Sequence, residues 1–291
     1  MQKLIILAFI GLIAQLVDGS LGMAYGVTST SLLLMFGIAP AVASASVHMA
    51  EVVTTAASGI SHIRFGNVDK EVVLKLIIPG SIGAFLGAIF LGSIPGDLIK
   101  PYVSLFLLFL GIFVIYRFLF KFNSQTKVSK QKVSKKQLLP LGFIAGFFDA
   151  TGGGGWGPIA TPVLITSNKM EPRKVIGSVD TSEFAIAVSS TIGFLLTLGW
   201  TQVHFEWVLA LMIGGIIAAP IAAWLVKIIP TNLLGTFVGG IIIITNIRTL
   251  LGVINVSETI SIITYSLLFS LWLVAIIMVL IKLKRNKTVS S

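Results

Sequence analysis

The stretch DATGGGGWGPIAT, Asp149 to Thr161, lies between two strongly apolar runs and decides how the chain is read. Four consecutive glycines disfavour a helix, because each adds backbone freedom and removes a side chain that could pack. A carboxylate, Asp149, stands just before them. In a bilayer, a broken helix is tolerated only where its backbone is buried in protein or lines a water-filled cavity. If this chain lies in a membrane, the break marks a built site.

Composition supplies that condition. The chain has 291 residues, 55% of them hydrophobic and 11% charged, with a mean hydropathy of +0.99. A soluble domain carries about a quarter charged residues. Nine apolar stretches follow one another, at 4–37, 40–62, 72–94, 98–122, 138–168, 172–199, 206–229, 231–254 and 259–283. The class is an all-α polytopic membrane protein. Strand signals are absent, which excludes a membrane β-barrel. The start, MQKLIILAFIGLIAQLVDGS, has the basic flank and apolar core of a signal peptide but no clear cleavage site, so a retained first segment is expected.

The net charge of +10 points to the membrane and not to nucleic acid. Its bases cluster in Arg117 to Lys136 and in the tail from Lys282 to Lys287. Such clusters mark the cytoplasmic ends of membrane segments. The lack of cysteine excludes a disulfide framework and a thiolate metal site. The histidines His48, His62 and His204 are scattered, and no Ser/His/Asp set can be assembled. The glycine run lacks the preceding strand that a dinucleotide fingerprint needs. No enzyme, metal or cofactor is expected.

The break has a counterpart. GLIAQLVDGSLGMAYGVTST (Gly11 to Thr30) aligns without a gap on GFIAGFFDATGGGGWGPIAT (Gly142 to Thr161). Asp18 then matches Asp149, Gly22 matches Gly153, Tyr25 matches Trp156 and Gly26 matches Gly157. After one inserted residue, Pro40 to Val52 lies over Pro172 to Phe184, pairing Ser46 with Ser178, His48 with Asp180 and Glu51 with Glu183. Gly80 matches Gly215, and Pro95 matches Pro230. The chain divides into a first repeat (1–122), a basic cytoplasmic linker (123–137), a second repeat (138–254), and an extra helix with a basic tail (255–291).

Charge then decides the topology. If 4–37 and 138–168 each cross once, five crossings put the basic linker and basic tail on opposite faces, against the positive-inside rule. If each turns back at its break, four crossings remain and both lie in the cytoplasm, with the N-terminus outside. Segments 62–75 and 168–174, which carry Arg64, Lys70, Lys75, Lys169, Arg173 and Lys174, fall inside. Segments 37–41, 199–206 and 254–259 fall outside and contain no Lys or Arg. Lys100 alone dissents. Each repeat is then a re-entrant hairpin plus three crossings, and the two repeats are inverted. Hairpin arms of about 14 residues reach about 21 Å, short of a hydrocarbon core of about 30 Å.

Each second arm starts at its tip, so its free amides and positive dipole end point into the membrane centre. That arrangement suits an anion, approached through Gly22, Gly26, Gly153, Gly154, Gly155 and Gly157 and walled by Tyr25 and Trp156. The alternative is close helix packing at small residues. Asp18 and Asp149 are expected to accept amide hydrogen bonds at the tips. His48 and Glu51, and their counterparts Asp180 and Glu183, fall about 12 and 16 Å into their crossings. Ionisable groups at that depth are paired, protonated or facing water. They read either as coupling groups, for protons above all, or as neutral partners of exposed backbone. Ser46 and Ser178, with Ser44 and Thr28, are candidate neutral ligands. Arg248 reads as snorkelling to the interface, or else as attracting anions.

Two halves that each open on an Asp-Gly break, with FFDATGGGGWGPIATP in the second, resemble the sulfite exporter TauE/SafE family, also called the TSUP transporters. The resemblance covers nearly the whole chain. It implies a permease for a sulfur-containing anion such as sulfite, an organosulfonate like sulfoacetate, or thiosulfate. The expected partners are this solute, the lipid bilayer and protons, with a homodimer left open. An uncoupled anion channel using the same site is the rival reading.

Overall fold

The computed structural model describes residues 2–21, 23–121, 133–167, 169–225 and 231–289. Eleven α-helices run through them: α1 Gln2–Leu21, α2 Tyr25–Met35, α3 Pro40–Arg64, α4 Lys70–Gly92, α5 Gly96–Tyr116, α6 Lys135–Gly152, α7 Trp156–Thr166, α8 Pro172–Gln202, α9 Phe205–Leu225, α10 Thr231–Val253 and α11 Glu258–Val289. A π-helical turn, Arg117–Lys121, extends α5. No strand occurs among the described residues. Residues 123–132 of the expected linker lie outside them, and α6 begins at Lys135, inside the range assigned to that linker.

The protein is a multi-pass, all-helical membrane protein. Among the described residues, five helices are long and apolar enough to cross a bilayer by themselves: α4, α5, α8, α10 and α11. The 25-residue α3 is as long, but its Ser44, Ser46, His48, Glu51 and Thr55 are all buried polar groups that lower its hydropathy. Pro40 and Pro172 open α3 and α8 in the first turn, where a missing amide hydrogen is harmless. Asp69 caps α4 by accepting from Glu71 N and Val72 N. The last turn of α8 is kinked at Gly199, whose φ of 70° is left-handed.

The stretches 4–37 and 138–168 are each two helices. Their arms are unequal, and this corrects the expected 14 residues: α1 and α6 have 20 and 18, whereas α2 and α7 have 11 each. The second break is made by Gly153 (φ 68°) and Gly154 (φ 151°), conformations that a side chain resists. At the first break no described glycine takes that role, Gly22 lying outside the described residues. Its left-handed residue is Ala24 (φ 93°), a conformation that costs an L-residue roughly 1–2 kcal/mol.

The second break reverses the chain. Lys169, just past α7, donates to Gln137 at the start of α6 (3.1 Å), so the two ends of that unit meet. α1 runs beside α9 in the same direction. Lys3 Nζ lies 3.9 Å from the Trp207 ring centre, Gly11 abuts the Leu211 backbone, and Gly214 abuts Ala8 and Leu12. α6 runs likewise beside α4, with Gly142 on Pro79, Gly83 on Phe143 and Gly87 on Phe147. Each broken first helix thus packs on the fourth helix of the other half, through small residues that bring backbones together. α5 and α10 pair antiparallel, with Gly111 on Ile242 and Gly235 on Phe118. α11 lies outside them: Trp272 donates to Thr236 O (3.1 Å) and Lys282 to Leu119 O (3.3 Å). That last bond puts the end of α5 and the start of the basic tail at one end of the molecule.

Candidate functional site

Each break is closed by its own aspartate. Asp149 Oδ1 accepts from Gly155 N (2.7 Å) and Trp156 N (2.9 Å), which satisfies the first free amides of α7. Asp18 Oδ1 accepts from Tyr25 N at a longer 3.3 Å. Of the amides expected to hold a ligand, those of Gly155 and Trp156, with that of Tyr25, are therefore occupied by carboxylates in this conformation, and those of Gly153 and Gly154 bond to the Asp149 carbonyl.

The two tips touch. A Cβ on Gly26 would stand 2.6 Å from Gly154 Cα and 2.7 Å from Gly153 O, and one on Gly154 would overlap the Gly26–Val27 backbone. Here the glycines serve backbone-to-backbone contact between halves. Thr30 Oγ1 donates to Gly153 O and Ser44 Oγ to Ala150 O, both at 2.7 Å, and these bonds lock the second tip onto α2 and α3. Gly157 is buried in the first turn of α7. Gly22 lies outside the described residues.

Beside the contact runs a row of ionisable groups. His48 Nδ1 is 2.9 Å from Glu51 Oε2 and 3.8 Å from Asp149 Oδ2, while His48 Nε2 is 3.4 Å from the Asp149 carbonyl. His48 is 0% exposed and stacks on Phe194. Past Glu51 opens a narrow cleft lined by Gln15, Asp18, Tyr25, Glu51, Thr54, Thr55, Ser58, Asp180 and Glu183. Its volume of about 10 Å³ leaves room for roughly one water. The structure therefore gathers Asp18, Tyr25, Glu51, Asp180 and Glu183, from both halves, around one small space. His62 adds a further contact, with Nε2 3.9 Å from Asp180 Oδ2.

Three expectations change. Trp156 is 0% exposed, and its indole N–H donates to Val179 O (2.9 Å), so it is not a free wall or donor as Tyr25 is. Tyr25 Oη is buried without a hydrogen-bond partner. Ser46 Oγ donates back to Val42 O (2.8 Å), as hydroxyls in helices often do. Ser178 Oγ accepts from Asp69 N (2.8 Å) and so anchors the loop before α4, away from the cleft. Sequence reading missed Gln15, Thr54, Thr55 and Ser58. The last three follow Glu51 at i+3, i+4 and i+7, a polar stripe on one helix face that was visible in the sequence.

Two contacts involve residues that the alignment of the two halves makes equivalent. The Trp156 ring covers Gly80, whose added Cβ would lie 2.8 Å from it, and Tyr25 Oη stands 3.7 Å from the equivalent position on Gly215. Both pairs are partners in the sequence alignment of the two halves.

Comparison with known proteins agrees with this architecture. The sequence profile described as Sulfite exporter TauE/SafE matches residues 7–249. The chain is 60% identical over 291 residues to the Bacillus subtilis (strain 168) protein named "Probable membrane transporter protein YtnM", covering 100% of this chain and 97% of that one. It is 25% identical over 233 residues to "Probable membrane transporter protein YdhB" of the same organism, covering 79% of this chain and 91% of that one. No solved structure matches it. With the profile spanning both halves and the first of these relatives aligned over the whole chain, the protein belongs to the TauE/SafE sulfite exporter family and is a membrane transporter, not an enzyme.

Proposed function

We propose that the protein is a proton-coupled secondary carrier for a small sulfur-containing oxyanion: sulfite, an organosulfonate such as sulfoacetate, or thiosulfate. The observation that carries this reading is the meeting of two interrupted helices, one from each half, beside a cluster of carboxyls from both halves. In this reading the halves are inverted repeats. The exchange of packing partners, α1 with α9 and α6 with α4, supports that symmetry. The anion competes with Asp149 and Asp18 for the amides of Gly153 to Gly157 and of Tyr25 as the tips part. Alternating access comes from one half rocking against the other. A cleft with room for one water admits no oxyanion, which favours a carrier that changes shape over an open channel.

Uptake into proteoliposomes tests the reading. Labelled sulfite, sulfoacetate and thiosulfate are compared with and without a pH gradient. Saturable uptake of at least one, accelerated by the gradient, is expected. Non-saturating flux indifferent to protons would make the protein a channel.

The orientation has its own test. The end of α5, which leads into the basic linker, and Lys282, which starts the basic tail, share one end of the molecule, and the positive-inside rule assigns that end to the cytoplasm. The chain lacks cysteine, so single replacements report cleanly. Ser93→Cys, at the exposed end of α4, is expected to react with an impermeant thiol reagent only from outside intact cells. Ser134→Cys, exposed before α6, is expected to react only after the cells are opened. The reverse pattern would invert the topology.

A further inference from the structure

At the end of the molecule opposite the basic linker and tail, a pocket of about 540 Å³ opens between the last turns of α2 and α10 and the first turn of α5. Leu34, Met35, Gly37, Asp97, Lys100, Arg248, Thr249, Gly252 and Val253 line it. It brings together two residues that sequence reading treated separately: Lys100, the exception among the outer loops, and Arg248, read as snorkelling or else as attracting anions. Neither lies within ion-pairing distance of a described carboxylate, so Asp97 in the same pocket neutralises neither by direct contact. Helix dipoles do not help on balance, since two helices end at the pocket and one begins there. The two side-chain cations supply the attraction.

The pocket also leads inward. Thr249 in its wall begins a buried polar row on α10 that continues through Thr245 and Asn246. Asn246 Nδ2 crosses to α2 and donates to Ser31 Oγ (2.7 Å). Along α2, Thr28 Oγ1 and Ser29 Oγ are buried without partners, as is Asn246 Oδ1, and Thr30 reaches Gly153 at the tip. The 11 residues of α2 span about 16 Å from tip to pocket. Thr245 and Thr249 bond back to their own helix, at Ile241 O, Ile242 O and Thr245 O. Buried polar groups are normally hydrogen-bonded, so the hydroxyls of Thr28 and Ser29 stand out as free donors between pocket and tip, of the kind an oxyanion accepts from.

We infer that this pocket is an outer capture site for a small sulfonate- or sulfate-type oxyanion, held by Lys100 and Arg248 and passed along the α2–α10 polar row to the tips. The ligand class rests on the carrier reading; the pocket's own field does not. A free anion and an anionic lipid headgroup offer the same chemistry, and the site is assigned to the free anion because its polar row leads into the protein.

Gly252→Cys places a thiol in the pocket wall, where an added Cβ meets nothing within 4 Å. Its reaction is followed in lipid-free micelles with two methanethiosulfonate reagents, one ending in a sulfonate and one in a trimethylammonium group. Clefts lined by one sign of charge raise the local concentration of counter-ions by 10–10³-fold. Adding Lys100→Gln and Arg248→Gln is therefore expected to lower the anionic-to-cationic rate ratio by about tenfold. Sodium methanesulfonate or sulfate is expected to slow the anionic reagent in the parent and not in the double variant. An unchanged ratio overturns the site, and so does protection that appears only when phosphatidylglycerol is added. In proteoliposomes the double variant should raise KM for anion added outside while leaving kcat in place. If the parent carries no sulfur oxyanion but the labelling ratio behaves as expected, the carrier reading fails and the capture site stands.

Discussion

Glu183→Gln is expected to abolish proton-driven accumulation in proteoliposomes while leaving anion exchange down its own gradient intact. Glu183 and Glu51 face one cleft with Asp18 and Asp180, around a space the size of a single water. Two unit charges about 4 Å apart repel by about 4 kcal/mol at an effective dielectric near 20. Four carboxylates there cannot all keep their charge without cations, and an anion beside them adds to the repulsion. Protons entering with the anion remove that conflict, which links the two fluxes. With the membrane potential clamped at zero, one coupled proton and a one-unit pH gradient support at most about tenfold accumulation, since tenfold corresponds to about 1.4 kcal/mol. The parent should approach that ratio, and Glu183→Gln should fall to the uncoupled value near one. Glu51→Gln is expected to lose coupling and to slow exchange as well, because it also removes the negative charge that Glu51 can place 2.9 Å from His48 Nδ1. Tenfold accumulation retained in both variants would show that protons travel elsewhere.

Much of the fold was legible because bilayer physics leaves few choices. Apolar runs had to be helices, and the breaks had to lie where Asp18 and Asp149 precede small residues. The unequal arms were not legible, because Asp18 and Asp149 cap α2 and α7 from well upstream, the residues next to the helix starts (Ala24 and Gly155) make no side-chain cap, and the turn is set by the φ values of Ala24, Gly153 and Gly154. Aligning the halves made Tyr25 and Trp156 equivalent. Their environments differ because Trp156 finds an acceptor in Val179 and packs on Gly80, whereas the shorter Tyr25 ends at the cleft. The tip contact joins Gly26 to Gly154, and the outer pocket joins Lys100 to Arg248. Such long-range approaches leave no local pattern in a single sequence. Arg248 and Lys100 each had an ordinary reading alone. They acquire a shared one only when α5 and α10 are seen side by side.

The second large effect is structural and falls on Asp149. Its Oδ1 holds two amides at 2.7 and 2.9 Å, and the residue is 1% exposed. Asp149→Ala leaves both N–H groups buried and unpaired. Each such group costs about 1–3 kcal/mol, so a loss of roughly 2–6 kcal/mol is expected. Asp18→Ala frees one amide held at 3.3 Å and should cost about 1 kcal/mol, within the range of a surface-grade cap. Asp149→Asn keeps an acceptor for the amides but removes the charge 3.8 Å from His48. It should retain most of the stability, and it separates capping from electrostatics. Reversible unfolding in mixed micelles measures all three. The expected order of loss is Asp149→Ala well above Asp149→Asn and Asp18→Ala. If Asp149→Asn is as damaging as Asp149→Ala, the carboxylate matters through its charge beside His48, and the tip is held by its glycine contact with Gly26 and not by its cap.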